Sequence, residues 1–449
     1  MDIVEAARAS GVVGAGGAGF PTHVKLNTEV ECFLVNAAEC EPLIETDKYL
    51  CRTYPERIVS TAEAIAAHLK ATRAVIALKE AYKPEIAALE DAVKKLESSV
   101  EIFRLKVFYP AGDEQTLIQQ VTGRSVPERG LPSDVGCVVD NVGTVLNLAD
   151  AMEGKPVTDK FLSVVGEVKK TIVLHVPIGT PIRECIEAAE PQISDYAIIL
   201  GGAMMGKPVT DAKAIDDAVV TKTTGNIMVL PKDHYLFQRA SLPIEVIRKQ
   251  TKSACIQCKM CTDLCPRYLI GHNMRPNLVM RAFWKEQSVA DDKEYLAMFG
   301  EAANCCSCGV CEMFACPMGL SPRKVNDYIK GELRNRGIQV PKEPEAEARR
   351  FVDDRKTPTA RLIARLGLSK YYGIHASECE TLTVDEVFIP FQQHIGKPAQ
   401  PVKQVGDPIE KGELLAEAAQ GLSANIHASV SGTVEELTGA GARIRRGKE

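Results

Sequence analysis

The chain has 449 residues, 45% of them apolar and 25% charged, with a formal net charge of −5. That length predicts three or four compact units, and that composition excludes a disordered or fibrous chain. No basic stripe interleaved with aromatics suggests nucleic acid, no apolar run approaches the roughly 20 residues that span a bilayer, and MDIVEAARAS lacks the regions of a signal peptide.

A cytoplasmic protein is therefore expected, and its 15 cysteines point to metal ligation rather than disulfides. Residues 1–155 read as alternating helices and strands. Asp2–Ala9 is helical, Gly11–Gly19 is a glycine loop, and Glu31–Val35 (ECFLV) is a buried strand. Ile58, Ala62, Ile65 and Leu69 recur at helical spacing within Pro55–Lys70. Ala74–Leu78 is a strand, Pro84–Leu96 a helix, and Val100–Phe108 a further strand, an α/β pattern. In residues 156–230, FLSVVGEV and TIVLHVPIGTPIRECIEAA give two strands, a turn and a helix, the order of a β-grasp unit. Residues 231–340 hold the cysteine runs in an expected α-helical, ferredoxin-like domain. Residues 341–380 read as a linker, with the charged segment Lys342–Lys356 an exposed helix or linker. Residues 381–449 look all-β, and the basic residues Arg443, Arg445, Arg446 and Lys448 read as a solvated end.

Cys255, Cys258, Cys261 and Cys265 stand in CIQCKMCTDLCP, the bacterial ferredoxin spacing. Cys305, Cys308, Cys311 and Cys316 repeat it in CCSCGVCEMFACP, one residue longer before the last cysteine. Such a run wraps three thiolates around a 4Fe-4S cluster and sends its fourth to the neighbouring one, which assigns Cys265 to the second cluster and Cys316 to the first. Structural zinc is the competing reading, but cysteines at i, i+3 and i+6 before Cys-Pro favour iron. Cys306, Cys32, Cys51, Cys137, Cys185 and Cys379 read as packed thiols.

Gly14, Gly16 and Gly19 satisfy GxGxxG, yet a dinucleotide fingerprint follows a strand and opens a helix. Here a helical VEAARAS precedes the loop and Phe20-Pro21 follows it, so that reading is rejected. A nest of loop N–H groups can still cradle a phosphate with Lys25 beside it, the alternative being a plain glycine turn.

GAGGAGFPTHVKL, NAAECEP (Asn36 to Pro42), YPAGDEQ (Tyr109 to Gln115) and DNVGT (Asp140 to Thr144) stand in the order found in the 51-kDa-type flavin subunit of respiratory NADH dehydrogenases. The chain resembles that family. Over nearly its whole length it is closer still to the RnfC component of the Rnf electron-transport complex and to the cobalamin reductases of propanediol-utilising microcompartments. The resemblance implies FMN on the loop of Gly14, Gly16, Gly17 and Gly19, with Lys25 near the phosphate. It implies Asn36, Glu39 and Glu41 near the ribityl and ring, with Tyr109, Asn141 and Thr144 completing the site. NADH would stack over the flavin, with Phe20, Glu41, Asp113 and Glu114 toward the nucleotide. Two positions depart from the respiratory pattern: Ala38 replaces an acid and Asp140 an asparagine.

Phe161–Val229 resembles a soluble-ligand-binding β-grasp (SLBB-like) domain, and the C-terminal segment resembles a barrel-sandwich hybrid of the lipoyl type. The hairpin Glu417–Ile426 has no lysine to acylate, so a docking role is expected of it. This module follows the clusters, as in the cobalamin reductases and unlike the RnfC component. The implied protein takes electrons from NADH through FMN and two 4Fe-4S clusters and reduces a corrinoid, cob(III)/cob(II)alamin toward cob(I)alamin, for coenzyme B12 recycling. It would work in a bacterial microcompartment of propanediol degradation, beside an adenosyltransferase and shell proteins. The alternatives are a peripheral NADH/ferredoxin-oxidising subunit of an Rnf-type membrane complex, and a ferredoxin-like relay or scaffold.

Overall fold

A computed structural model describes residues 2–376 and 378–447. The first domain is built on strands β1 (Cys32–Asn36), β2 (Arg73–Lys79), β3 (Glu101–Leu105) and β5 (Cys137–Asn141), with β4 (Phe108–Tyr109) outside the sheet. The four form a parallel sheet in the order β3-β2-β1-β5. CFLVN and AVIAL are apolar at every second position on both faces, as a strand covered from two sides requires. Phe33, Val35, Ile76 and Leu78 pack against Ile58, Ala62 and Ile65 of the helix Pro55–His68. Cys32, Leu34, Val75 and Ala77 face Leu117, Ile118 and Val121 of the helix Glu114–Thr122. The connection from β1 leads to β2 on one side while β5 lies on the other, so the chain diverges at the carboxyl ends of β1 and β5 and leaves a crevice there.

The strand expected over Val100–Phe108 is two pieces. The chain leaves the sheet at Lys106-Val107, and β4 pairs antiparallel with β11 (Thr357–Pro358).

The β-grasp domain supplies β6 (Asp159–Gly166), β7 (Ile172–Pro177), β8 (Tyr196–Leu200), β9 (Lys207–Val209) and β10 (Asn226–Pro231), with β12 (Cys379–Thr381) at one edge, in the order β12-β7-β6-β10-β8-β9. Both β11 and β12 come from the stretch expected to be a linker. Lys342–Lys356 has no helix and is mostly exposed, as a linker would be. From Thr357 on, however, the chain is structural. The helix Thr359–Arg365 buries Leu362 and Ile363, and Leu366, Leu368 and Tyr371 join the same core as Met228, Leu230, Val310 and Met313. The apolar positions of TPTARLIARLGL, at helical spacing, need that burial.

The cysteine domain is a helical bundle whose core holds Ile247, Phe283, Tyr295, Phe299, Val325 and Ile329. The C-terminal domain is two small sheets. One contains Glu386–Pro390, Gly441–Arg446, Gly432–Leu437 and Pro408–Ile409, the other Gln400–Pro401, Leu414–Glu417 and Ile426–His427. The basic end is not free. Arg443 and Arg445 lie in a strand paired on both sides, Ala442 and Ile444 point into the core, and the arginines pair with Glu386, Glu435 and Glu436. Lys448 lies outside the described residues. Val387, Ile389, Phe391, Leu415 and Ile426 continue the apolar core of the first domain, so this module is built into the protein rather than held apart from it. No helix among the described residues is long and apolar enough to cross a membrane.

Candidate functional site

A cavity of about 1170 Å³ opens at the carboxyl ends of β1 and β5 and is roofed by the β-grasp domain. Gly14, Gly16, Gly17, Phe20, Lys25, Asn36, Glu39, Glu41, Asp113, Glu114, Asn141 and Thr144 all line it. Gly19 and Tyr109 do not. Gly19 is turned toward the other domains, where a Cβ would stand 2.9 Å from the Thr223 Cγ2 and 3.2 Å from the His394 Cα. Tyr109 is 1% exposed beneath the cavity wall.

The glycine loop closes at its neck, where Val13 bridges Pro21 and the Gly14 N–H donates to the Phe20 carbonyl at 2.9 Å. The Ala15 N–H donates to Thr144 Oγ1 at 2.9 Å. The next amides, of Gly16, Gly17 and Ala18, meet no acceptor among the described residues. At Gly17, with φ +114°, a Cβ would meet nothing within 4 Å. Unmatched amides on residues that line an open cavity can make an anion nest, so the loop fits a phosphate group.

Lys25 Nζ donates to the Val139 carbonyl and lies 3.3 Å from Glu114 Oε1 and 3.4 Å from Asp140 Oδ1. Burial opposes its charge, but the two carboxylates outweigh burial and hold its pKa above the usual lysine value. Asp140, the departure from the respiratory pattern, is thus the buried partner of Lys25. Burial holds its own pKa up in spite of that lysine. Asn36 donates to the Gly112 carbonyl at 2.9 Å, and Gly112 must be glycine because a Cβ would stand 2.4 Å from the Ala38 carbonyl. Asn141 donates to Asp47 Oδ2 at 2.7 Å and caps the helix Val142–Met152 by accepting from the Gly143 N–H at 2.9 Å.

The cavity floor is acidic. Burial, with Asp47 and Glu41 nearby, pushes Glu39 up to about 8. Burial likewise raises Glu41 to about 7 and Asp47 to about 6, and lowers Lys160, which donates to the Ala15 carbonyl at 3.1 Å, to about 8. These groups can hold or release protons near neutrality. Glu41 spans three domains. Its Oε2 accepts from the Met204 N–H at 2.8 Å, its Oε1 stands 3.4 Å from the Tyr109 hydroxyl, and that hydroxyl donates to the Cys308 carbonyl at 2.7 Å.

Asp113 lines the wall, but its carboxylate is committed away from the cavity. Arg267 grips it bidentately at 2.5 and 2.9 Å, and it caps the helix Glu114–Thr122 through the Thr116 N–H at 3.0 Å. Burial raises its pKa, yet Arg267 prevails and holds it below the usual value.

The two cysteine runs share one backbone shape. Gln257 and Lys259 have positive φ (55° and 69°), as do Ser307 and Gly309 at the matching positions (58° and 80°). Cys255, Cys258, Cys261 and Cys316 surround one hollow. Cys265 lies with the second run, its thiol pushed up by burial and then by Cys306 and Cys305. The extra residue before Cys316 is taken up as a π-helix, Val310–Ala315, the form a one-residue insertion gives a helical turn. The Ser307 and Leu320 N–H groups donate to the Cys305 and Cys316 sulfurs, each at 3.3 Å. Among the described residues no three His, Cys, Asp or Glu side chains close in tightly enough for one metal ion. Four thiols around one hollow, on loops of ferredoxin spacing with N–H groups aimed at the sulfurs, form a donor set that fits iron-sulfur clusters. Cys308 lines the cavity, whereas Cys258 is exposed beside Ile256, itself 61% exposed. Cys306 is half-buried beside Cys308.

Arg267, Lys160 and Asp47 were not singled out from the sequence. Only Arg267, following Cys-Pro directly, stood next to a motif.

Residues 7–150 match the family model of the Nuo51 FMN-binding domain, residues 254–321 that of a 4Fe-4S dicluster domain, and residues 372–444 that of the RnfC barrel sandwich hybrid domain. The chain is 41% identical over 450 residues to the cobalamin reductase PduS of Citrobacter freundii, covering 99% of this chain and 96% of that one. It is 41% identical over 451 residues to the cobalamin reductase PduS of Salmonella typhimurium strain LT2, covering 99% and 97%. With the C component of the Na(+)-translocating ferredoxin:NAD(+) oxidoreductase complex of Acetobacterium woodii it shares 34% over 267 residues, 58% of this chain and 56% of that one.

Proposed function

We propose, from the premise that this chain belongs to the cobalamin reductase PduS family, that it oxidises NADH and passes the electrons to a corrinoid, reducing cob(III)/cob(II)alamin toward cob(I)alamin. The flavin iron-sulfur character follows from the FMN-binding and dicluster domains. The donor NADH, the number of two clusters, the ligand sets Cys255/Cys258/Cys261/Cys316 and Cys305/Cys308/Cys311/Cys265, and the residues around the flavin belong to the proposal. So do the setting in a microcompartment and the partnership with an adenosyltransferase and shell proteins. When bound, FMN accepts a hydride and iron-sulfur clusters carry single electrons.

The observation that carries the reading is the reach of one cavity from the glycine loop to Cys308. The loop amides bind and orient a phosphate, and Lys25 is held charged beside them by Asp140 and Glu114. Glu39, Glu41 and Asp47 line the same space; Glu39, raised to about 8, is mostly protonated at neutral pH and adds little negative charge beside an anionic cofactor, while Glu41 and Asp47 are held by the Met204 N–H and by Asn141. Tyr109 ties that floor to the second cysteine loop, fixing their separation. At the far side, the exposed Cys258 brings the first run to the surface, where an acceptor can approach.

The test is the isolated chain, reconstituted anaerobically with FMN, iron and sulfide and given NADH and a corrinoid. Stopped-flow at the flavin band and corrinoid spectra should show both reduced without any membrane fraction. If the flavin reduces while the corrinoid stays oxidised until membrane proteins of an Rnf-type complex are added, the chain works as a part of such a complex instead.

A further inference from the structure

Among the described residues Lys222 makes no ion pair, and it has no place in the chemistry above. It is 2% exposed and sits where three domains meet. Its Nζ donates to the Gly11 carbonyl at 2.6 Å and to the Asn425 carbonyl at 2.7 Å, and its backbone N–H donates to Gln393 Oε1 at 2.9 Å. Burial lowers its pKa to about 7. A neutral amine has two N–H bonds for these two carbonyls.

The same two domains hold both ends of the glycine loop. At the near end Gly11, with φ +65°, is packed so closely that a Cβ would stand 2.2 Å from the Asn425 carbonyl oxygen. Asn425 also donates to the Ala9 carbonyl at 3.3 Å. At the far end Gly19, with φ +66°, lies against Thr223 and His394, and its carbonyl accepts from the Ile395 N–H at 3.0 Å. The C-terminal contributions are braced against each other, since the Ala424 N–H donates to His394 Nε2 at 3.2 Å. Between the two ends lie the unmatched amides of Gly16, Gly17 and Ala18. A glycine-rich segment has much backbone freedom to lose, so a nest made from it needs its ends fixed from outside.

We propose that the C-terminal barrel-sandwich domain is a clamp on the glycine loop, with Lys222 and Asn425 as positioning residues that hold its amides in the anion-binding shape. This rests on the reading that the loop receives the flavin phosphate. It gives the hairpin Glu417–Ile426, expected to dock on an outside partner, an inward role: its end carries Asn425 onto the residues that precede the loop.

The experiment uses the full-length, cluster-loaded protein, stripped of flavin and titrated with FMN by fluorescence. Visible circular dichroism of the bound flavin at saturation is the second readout, because it follows cofactor orientation rather than overall folding. Lys222→Met should weaken FMN binding about tenfold or more, since two buried carbonyls lose their donors. Asn425→Ala, a milder change at a half-buried side chain, should weaken it a few-fold. Both should alter the flavin dichroism while cluster absorbance is unchanged, and Lys397→Met, on the exposed side of the same domain, should match wild type in both readouts. Gly16→Val separates the two levels. If it abolishes FMN binding while Lys222→Met and Asn425→Ala bind as wild type with unchanged dichroism, the clamp is overturned and the loop stands. If Gly16→Val itself leaves binding intact, the loop is not the flavin site and the clamp falls with it. Should Lys222→Met fail to fold, Asn425→Ala alone decides between these outcomes.

Discussion

Replacing Arg267 by methionine removes the charged tie between the cysteine domain and the cavity wall. Arg267 is 8% exposed, and its bidentate pair with Asp113 has contacts of 2.5 and 2.9 Å. Taking one partner from a buried pair costs about 3–5 kcal/mol, chiefly because the other charge is left buried. Asp113 would keep its bonds from the Thr116 N–H and hydroxyl, which places the expected loss near the lower end, at about 3 kcal/mol. That corresponds to roughly a hundredfold rise in local opening. A multidomain chain does not melt in one step, so native-state hydrogen exchange, read on the helix Glu114–Thr122 and on Pro266–Leu269, is the suitable assay. The double variant Asp113→Asn/Arg267→Met, with no lone charge, should recover much of the protection. Because Asp113 is depressed in the folded protein, the pair's contribution is complete above its unfolded value of about 4 and fades as pH falls through the lower folded value. Exchange within threefold of wild type in Arg267→Met, or a double variant no better than the single, would refute the reasoning.

The anaerobically prepared chain should hold about eight irons and eight sulfides, and Cys258→Ala and Cys308→Ala should each lose about half of both. Zinc with little sulfide would sink the cluster assignment. Lys25→Ala and Gly16→Val should each lower FMN occupancy, the glycine change more, because a Cβ at Gly16 already meets Asn141 at 3.2 Å. Equal, full occupancy in both variants counts against that placement. Glu39 is raised from 4.5 to about 8 in the folded chain, so the stability it contributes is present below 4.5 and lost as pH rises through 8. Glu39→Gln should therefore flatten the fall in opening free energy over that window, read by native-state hydrogen exchange on Cys32–Asn36, and an unchanged slope would show that Glu39 does not titrate there.

What the sequence revealed was whatever local spacing encodes. The cysteine runs are visible because ligands three residues apart must lie on one wrapping loop, and the α/β alternation because strands buried on both faces read as continuous apolar runs between helical periodicities. The cavity residues came from four short motifs whose order, not spacing, carried the information. Lys222, Lys160 and Arg267 stayed hidden because each is a charged residue buried by a different domain, and nothing within a few positions marks that fate. Residues 357–380 do not read as structural for a related reason: their apolar faces make sense only against partners far away in sequence, such as Met228, Leu230, Val310 and Met313. Asp113 shows the reverse case, a residue the motifs did find but whose carboxylate the fold spends on Arg267 and a helix cap.

The contact between the hairpin at Asn425 and the glycine loop at Gly11 also fixes an order of events during synthesis. A ribosome emits the loop well before the hairpin, since more than four hundred residues separate two segments that end up touching. The parallel sheet and the cysteine bundle between them can each close on their own shorter-range contacts as they emerge. If the clamp holds, the glycine loop takes its final shape only after the hairpin has emerged. On that reading, loading of clusters is open to the nascent chain, while tight retention of a flavin phosphate waits for the hairpin.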